Sequence, residues 1–182
     1  HQGSEGQGPA TFLGFVESTE DGLEGFVRGY EFQASVPFRE LHKSLDGFGV
    51  AVSATFIDGE LDDGGRVPGL SAERYSLTAY YEYNGWEFRV AGTKRDEFLA
   101  ETRGLSLSLV ETEDLGSEIW DAQISYDFEN SGIESLKGLR ITLQGQNLTD
   151  EDTIQAEDFD SRAITSYQSF GANYSIGLNY KF

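Results

Sequence analysis

The chain has 182 residues, with 32 acidic against 13 basic side chains and a net charge of −19. That balance excludes a nucleic-acid binder, whose phosphate contacts need clustered Lys and Arg. With no cysteine, it also excludes a disulfide framework, a zinc ribbon and thiolate chemistry. The length is one domain's worth. A hydrophobic share of 38% is low for a packed globular core, yet 13% of the residues are aromatic. No run approaches the roughly 18 consecutive apolar residues of a membrane-crossing helix. No basic segment followed by an apolar run opens the sequence, so no secretory signal is expected in it. A chain that starts at His1 and has no methionine is expected to be processed or cut from something longer.

Period-two alternation, which marks a strand with two unlike faces, recurs from one end to the other. A blurred first candidate covers Thr11–Glu17. In Tyr30–Phe38 every second residue is aromatic or apolar, with Glu31, Gln33 and Ser35 between. Phe48, Val50, Val52, Ala54 and Phe56 form the next apolar row, and Tyr75, Leu77, Ala79, Tyr81 and Tyr83 the one after. Trp86, Phe88 and Val90 follow, then Trp120, Ala122, Ile124, Tyr126 and Phe128. Leu139, Ile141 and Leu143 precede a last row from Ala172 through Tyr174, Ile176, Leu178 and Tyr180 to Phe182. This predicts seven strands, or eight with the first candidate.

The connections alternate in length. Asp58–Arg74, Asp96–Glu118 and Thr149–Gln168 are expected to be long loops, the first two of them acidic. Between them lie the shorter links Arg39–Gly47, Asn84-Gly85 and Glu129–Gly138, and Asn-Gly is the strongest hairpin signal of a two-residue type I′ turn. An antiparallel meander with one elaborated rim and one tight rim gives this rhythm. The short links are therefore expected together on one rim, with the segment after Gly25 and the last strand both running toward it.

A soluble β-sandwich also alternates, so the ends of the strands carry more information. Five strands place aromatics eight residues apart on the apolar face: Tyr30 and Phe38, Phe48 and Phe56, Tyr75 and Tyr83, Trp120 and Phe128, Tyr174 and Phe182. Eight residues of about 3.3 Å rise, tilted about 40°, climb about 20 Å, close to the apolar band between the aromatic girdles of an outer-membrane barrel. The opposite face carries Glu31, Gln33, Arg89, Arg95, Asp121, Gln123, Arg140, Gln144, Gln146 and Lys181, both signs of charge, so it is wet or hydrogen-bonded. Seven is odd, whereas bacterial single-chain barrels have even strand numbers. The fold class expected is all-β: an antiparallel meander that forms part of a larger transmembrane outer-membrane β-barrel.

The residues also carry a family likeness. Gly138-Leu139-Arg140-Ile141-Thr142-Leu143-Gln144-Gly145-Gln146-Asn147-Leu148-Thr149-Asp150 resembles the penultimate strand and Asn-Leu-Thr-Asp signature of TonB-dependent outer-membrane receptors, and Gly177–Phe182 is similar to their last strand. Tyr80-Tyr81-Glu82, Arg89, Arg95–Leu99 and Val67–Ser71 resemble the strands and loop before them. The wording is closest to the carbohydrate-uptake branch. The resemblance implies a barrel of 22 strands, of which this chain holds about the last third, with the plug domain absent. Residues 1–24 are then an extracellular loop or partial strand and 25–182 the C-terminal barrel strands. It implies active uptake of a ligand such as an oligosaccharide, with outer-membrane lipid, TonB (through the plug) and the barrel-assembly machinery as partners, and no enzyme activity. Ser175, Gly177, Tyr180 and Phe182 resemble the C-terminal signal read by that machinery. A self-contained small outer-membrane barrel with an adhesin or structural role, and a soluble all-β binding module, are the alternatives.

Sugars are held by stacking on rings and by hydrogen bonds from convergent polar groups. By alternation the ligand-binding candidates are Arg95, Asp121, Gln144 and Gln146, with Phe159 and Tyr167 as stacking surfaces. Other chemistry is thin. Asp58–Gly64 is acidic but lacks the spacing of a calcium loop, so no metal is expected. Gly47-Phe48-Gly49 opens no helix and is no dinucleotide fingerprint. His1 and His42 stand without a Ser or Asp constellation, and no cofactor is expected.

Overall fold

The computed structural model describes residues 24–103, 109–157, 160 and 162–181. Eleven strands are described: β1 (Gly25–Pro37), β2 (Phe48–Leu61), β3 (Glu73–Tyr83), β4 (Trp86–Arg95), β5 (Phe98–Arg103), β6 (Leu109–Asp114), β7 (Ser117–Asp127), β8 (Leu139–Gln146), β9 (Thr153–Ala156), β10 (Ile164–Gln168) and β11 (Asn173–Tyr180). Seven form one sheet in the order β1-β2-β3-β4-β7-β8-β11, each pair antiparallel. These are the seven strands that alternation predicts. The candidate at Thr11–Glu17 lies outside the described residues.

The seven strands are a pure meander, so the connections fall on two rims. Each of the two longer links of the tight rim is built from two 3-10 turns, Phe38–Glu40 with Lys43–Leu45 and Phe128–Asn130 with Glu134–Leu136. Between them, Asn84 at φ 47° and Gly85 at φ 85° make the type I′ hairpin. A Cβ on Gly85 would meet the Asp127 carbonyl at 2.5 Å, so that position has room only for glycine. The loop holding Asp62 and Asp63 follows β2 and lies at the opposite end of the strands. The first and last strands of the sheet, β1 and β11, run in the same direction because seven is odd. An all-antiparallel wall can close around this sheet only with an odd number of further strands.

Two expected loops turned out to hold strands. β5 and β6 stand within 96–118, and β9 and β10 within 149–168, and they assemble as a second sheet in the order β10-β9-β6-β5. β2 also runs on through Asp58 to Leu61. Alternation did not reveal the second sheet because its strands are short, and those of its first hairpin carry charge in place of an apolar row, as in Glu111-Thr112-Glu113-Asp114. The buried hydrophobic residues among those described, Leu99 and Ala156, both belong to it.

The large sheet has no apolar core. Its registers put every predicted apolar row on one face: Phe32 meets Ala54, Ala54 meets Tyr75, Phe88 meets Ile124 and Ile124 meets Leu143. That face is open, with Phe32 at 62%, Ile176 at 69% and Leu178 at 71% exposure. The aromatics on it form a staircase. Along the hydrogen-bonded rows, Tyr75 on β3 aligns with Phe32, Trp120 on β7 with Ala34, and Tyr174 on β11 with Val36. Measured from Tyr30 on β1, these lie two, four and six residues along after two, four and six strand steps. One residue of about 3.3 Å per strand spacing of about 4.8 Å makes that line level when the strands tilt by about 35°. Transmembrane β-barrels tilt by about 35–45°.

The opposite face is polar and internally bonded. Ser53 and Ser76 hydroxyls meet at 2.7 Å, and Ser125 and Thr142 at 3.0 Å, across strand pairs. Glu87 bonds Arg140 and stands 3.8 Å from Arg89. Glu31, Gln33, Asp121, Gln123, Gln144 and Gln146 alternate onto this same face.

Candidate functional site

Asn147-Leu148-Thr149-Asp150 is a clamp that ties the end of β8 to β7. Asn147 and Asp150 both take the left-handed conformation, at φ 50° and 55°, which Asn and Asp tolerate better than other side chains. The Asn147 amide donates to the Glu151 carbonyl at 2.9 Å and accepts from the Glu151 N–H at 2.8 Å, closing the turn on itself. Leu148 N–H donates to the Trp120 carbonyl at 2.7 Å, and the Thr149 hydroxyl to the Glu118 carbonyl at 3.0 Å. Leu148 then folds over Gly145, where an added Cβ would lie 2.7 Å from its Cδ2. Asp121 completes the clamp by accepting the Asn147 N–H at 2.9 Å. Its carboxylate thus has a structural partner in addition to its place on the polar face.

Arg95 is anchored by the second sheet. One of its terminal nitrogens, Nη2, donates to both oxygens of Asp114 at 3.1 Å. Its guanidinium lies 4.5 Å over the Phe98 ring, a cation–π contact. Asp114 is 5% exposed and also accepts the Gly116 N–H at 3.0 Å. Removing a charged partner from a buried group costs about 1–3 kcal/mol. Arg95→Ala should therefore loosen the second sheet, and limited proteolysis of the intact protein should cut sooner between residues 96 and 117. Unchanged cleavage would show that Asp114 does not depend on Arg95.

The remaining candidates are dispersed. Gln144 faces Gln123 and Ser175 across its two strand pairs. Gln146 follows Gly145, whose partner is Ala122, and so adjoins Asp121. Arg95 pairs with Ser117, four residues nearer the loop rim than Asp121. The polar face therefore gathers four of the six candidates in its loop-side half. Tyr167 stands apart on β10, donating to Asp152 at 2.5 Å. That bond pushes the Tyr167 phenol above its ordinary pKa. A raised phenol pKa means the contact is fully present below the ordinary value of about 10 and is lost as pH rises through the folded value. Phe159 lies outside the described residues. So does Phe182, the last residue of the expected assembly signal, whereas Ser175 and Gly177 occupy the polar face of β11 and Tyr180 the apolar one.

Alternation puts Glu87 opposite the apolar row of Trp86, Phe88 and Val90, where the structure has it. Sequence reasoning missed Asp114 and Arg74 as rim and polar-face partners, although strict alternation from Tyr75 would have placed Arg74. Asp114 needed the second sheet.

No family model matches the sequence, and no curated protein matches it. Among solved structures, the ferric citrate transporter FecA in its unliganded form matches with a TM-score of 0.66 and 20% identity. The match covers 87% of this chain and 24% of FecA, so the chain spans about a quarter of that protein's length. At this identity the likeness is one of fold. The fold is all-β and antiparallel, a partial β-barrel wall.

Proposed function

We propose that this chain is the C-terminal part of the barrel of a TonB-dependent outer-membrane transporter, and that its polar face lines the path of an imported ligand. The observation that carries the reading is the open apolar face with its aromatic staircase. Water penalises such a face by about 25 cal/mol per Å², whereas a bilayer of matching thickness accepts it. The resemblance of the Asn147–Asp150 signature and of the last strand to that receptor family supports it, as does the fold shared with a transporter. The short links then face the periplasm and the second sheet the cell exterior. In this reading the plug domain and the TonB contact lie outside this chain. Among the described residues β11 is paired on one side only, an edge suited to strand addition by the barrel-assembly machinery.

The ligand class we propose is an oligosaccharide. Support comes from a wall of hydroxyl and amide side chains on the polar face. Uptake of a labelled oligosaccharide by cells carrying the full-length protein should disappear when either TonB or this protein is deleted. Uptake at the parental rate without TonB would overturn the transport reading, as would recovery of the protein from the soluble fraction without detergent.

A further inference from the structure

Arg74 and Arg95 are direct partners in the β3–β4 register and alternate onto the same, polar face. Like charges directly opposite each other on one sheet face are destabilising. Only Arg95 has a counter-charge, Asp114, and Arg74 makes no ion pair among the described residues. Arg95 is also pre-oriented. Asp114 engages Nη2, Phe98 supports the plane, and Nε is buried without a hydrogen-bond partner. Beside this fixed guanidinium stands a second, free one.

The two line a recess of about 460 Å³ on the polar face, together with the hydroxyls of Ser53, Thr55, Ser76 and Thr93. They also line an adjoining recess of about 340 Å³ toward the β2–β3 loop. Thr153 of β9 stands at the edge of the first, so the second sheet borders it. A planar fork of N–H donors matches the geometry of a carboxylate or a phosphate, and the single positive charge that Asp114 leaves over favours the carboxylate. Hydroxyl side chains suit the hydroxyls of the molecule that carries it. Glu31 is on the same face in the same row, two strands from Arg74. Glu31 lines the adjoining recess without an ion pair to Arg74 among the described residues, so Asp114 is the one paired counter-charge of the two guanidiniums and the charge left over suits one carboxylate rather than several.

We infer that Arg74 and Arg95 form a subsite for a single carboxylate on a hydroxylated ligand, an acidic sugar. The inference rests on the uptake reading above and narrows its ligand. The probes are glucuronate and its uncharged counterpart glucose, titrated into the full-length transporter in detergent at about 0.15 M salt and followed by saturation-transfer NMR. Glucuronate should bind at least tenfold more tightly than glucose. Arg74→Gln should weaken glucuronate at least tenfold and leave glucose unchanged. Arg28→Gln removes a positive charge from β1, outside both recesses, and should change neither. Equal binding of the two probes, binding of neither, unaltered affinity in Arg74→Gln, or an equal loss in Arg28→Gln would each overturn the subsite. If TonB-dependent uptake of a neutral oligosaccharide survives alongside any of those results, the transport reading stands and only the carboxylate subsite falls.

Discussion

Arginine in place of Val90 should stop the full-length protein from assembling in the outer membrane, while arginine at the next residue, Ala91, should be tolerated. Val90 lies midway along β4 on the apolar face, between Ala79 and Ala122, and Ala91 faces the other way, between Thr78 and Asp121. A charge on the lipid face of a transmembrane barrel costs about 2–4 kcal/mol at the bilayer midplane. On the lumen side an arginine beside Asp121 gains a carboxylate neighbour and stays hydrated. Heat-modifiable migration of the outer-membrane fraction on gels reads the folded yield of each variant. Two substitutions one residue apart share chain position, strand and residue type, so a difference between them can come only from the face. Normal assembly of Val90→Arg with failure of Ala91→Arg would invert the face assignment and with it the proposed function.

The second large effect is expected at Asn147. Alanine there removes two side-chain hydrogen bonds that close the turn, each contributing about 1 kcal/mol. It also leaves an alanine at a φ of 50°, which adds about 1–2 kcal/mol for a residue with a Cβ and no local polar group. The sum is about 3–4 kcal/mol, enough to melt the junction of β7 and β8 locally. Asn147→Gly relieves the backbone term alone and should recover roughly a third to a half of the loss. Thermal unfolding of the full-length protein in detergent, with loss of heat-modifiable migration as the readout, distinguishes them. Equal midpoints for the alanine and glycine variants would show that the left-handed backbone contributes nothing. This clamp gives a physical reason for the Asn-Leu-Thr-Asp pattern. Asn supplies the left-handed residue with its own hydrogen bonds, Leu covers a glycine, and Thr reaches back to the neighbouring strand.

The same residues show why the large sheet was legible and the second one was not. A strand with one apolar and one polar face writes its orientation into every second residue, and Asn84-Gly85 writes a turn into two. Phe48–Phe56 and Tyr75–Tyr83 could therefore be placed, faced and paired from sequence alone. Even the eight-residue separation of the aromatics could be read, since it depends on single strands. β5, β6, β9 and β10 form no such record. All four are short, β5 and β6 carry charge in place of an apolar row, and the pairing that joins the two hairpins is distant in sequence, as in Glu113 with Ala156.

The candidate site divides in the same way. Alternation determined that Arg95, Asp121, Gln144 and Gln146 share the polar face, because facing is a property of one strand. It could not determine that Asp121 holds the Asn147 turn or that Asp114 fixes Arg95, whereas the two-residue Asn84-Gly85 turn already sets Arg74 opposite Arg95. Those first two relations depend on contacts between segments distant in sequence, of which the pairing of Glu113 with Ala156 is one. The level line of Tyr30, Tyr75, Trp120 and Tyr174 is of the same kind. The sequence by itself determined the two faces of each strand, the tight turns and the partial-barrel class. Only the tertiary structure decided the stagger, the rim sheet and the anchoring of Arg95 by Asp114, because each arises from how distant strands align with one another rather than from what any strand contains.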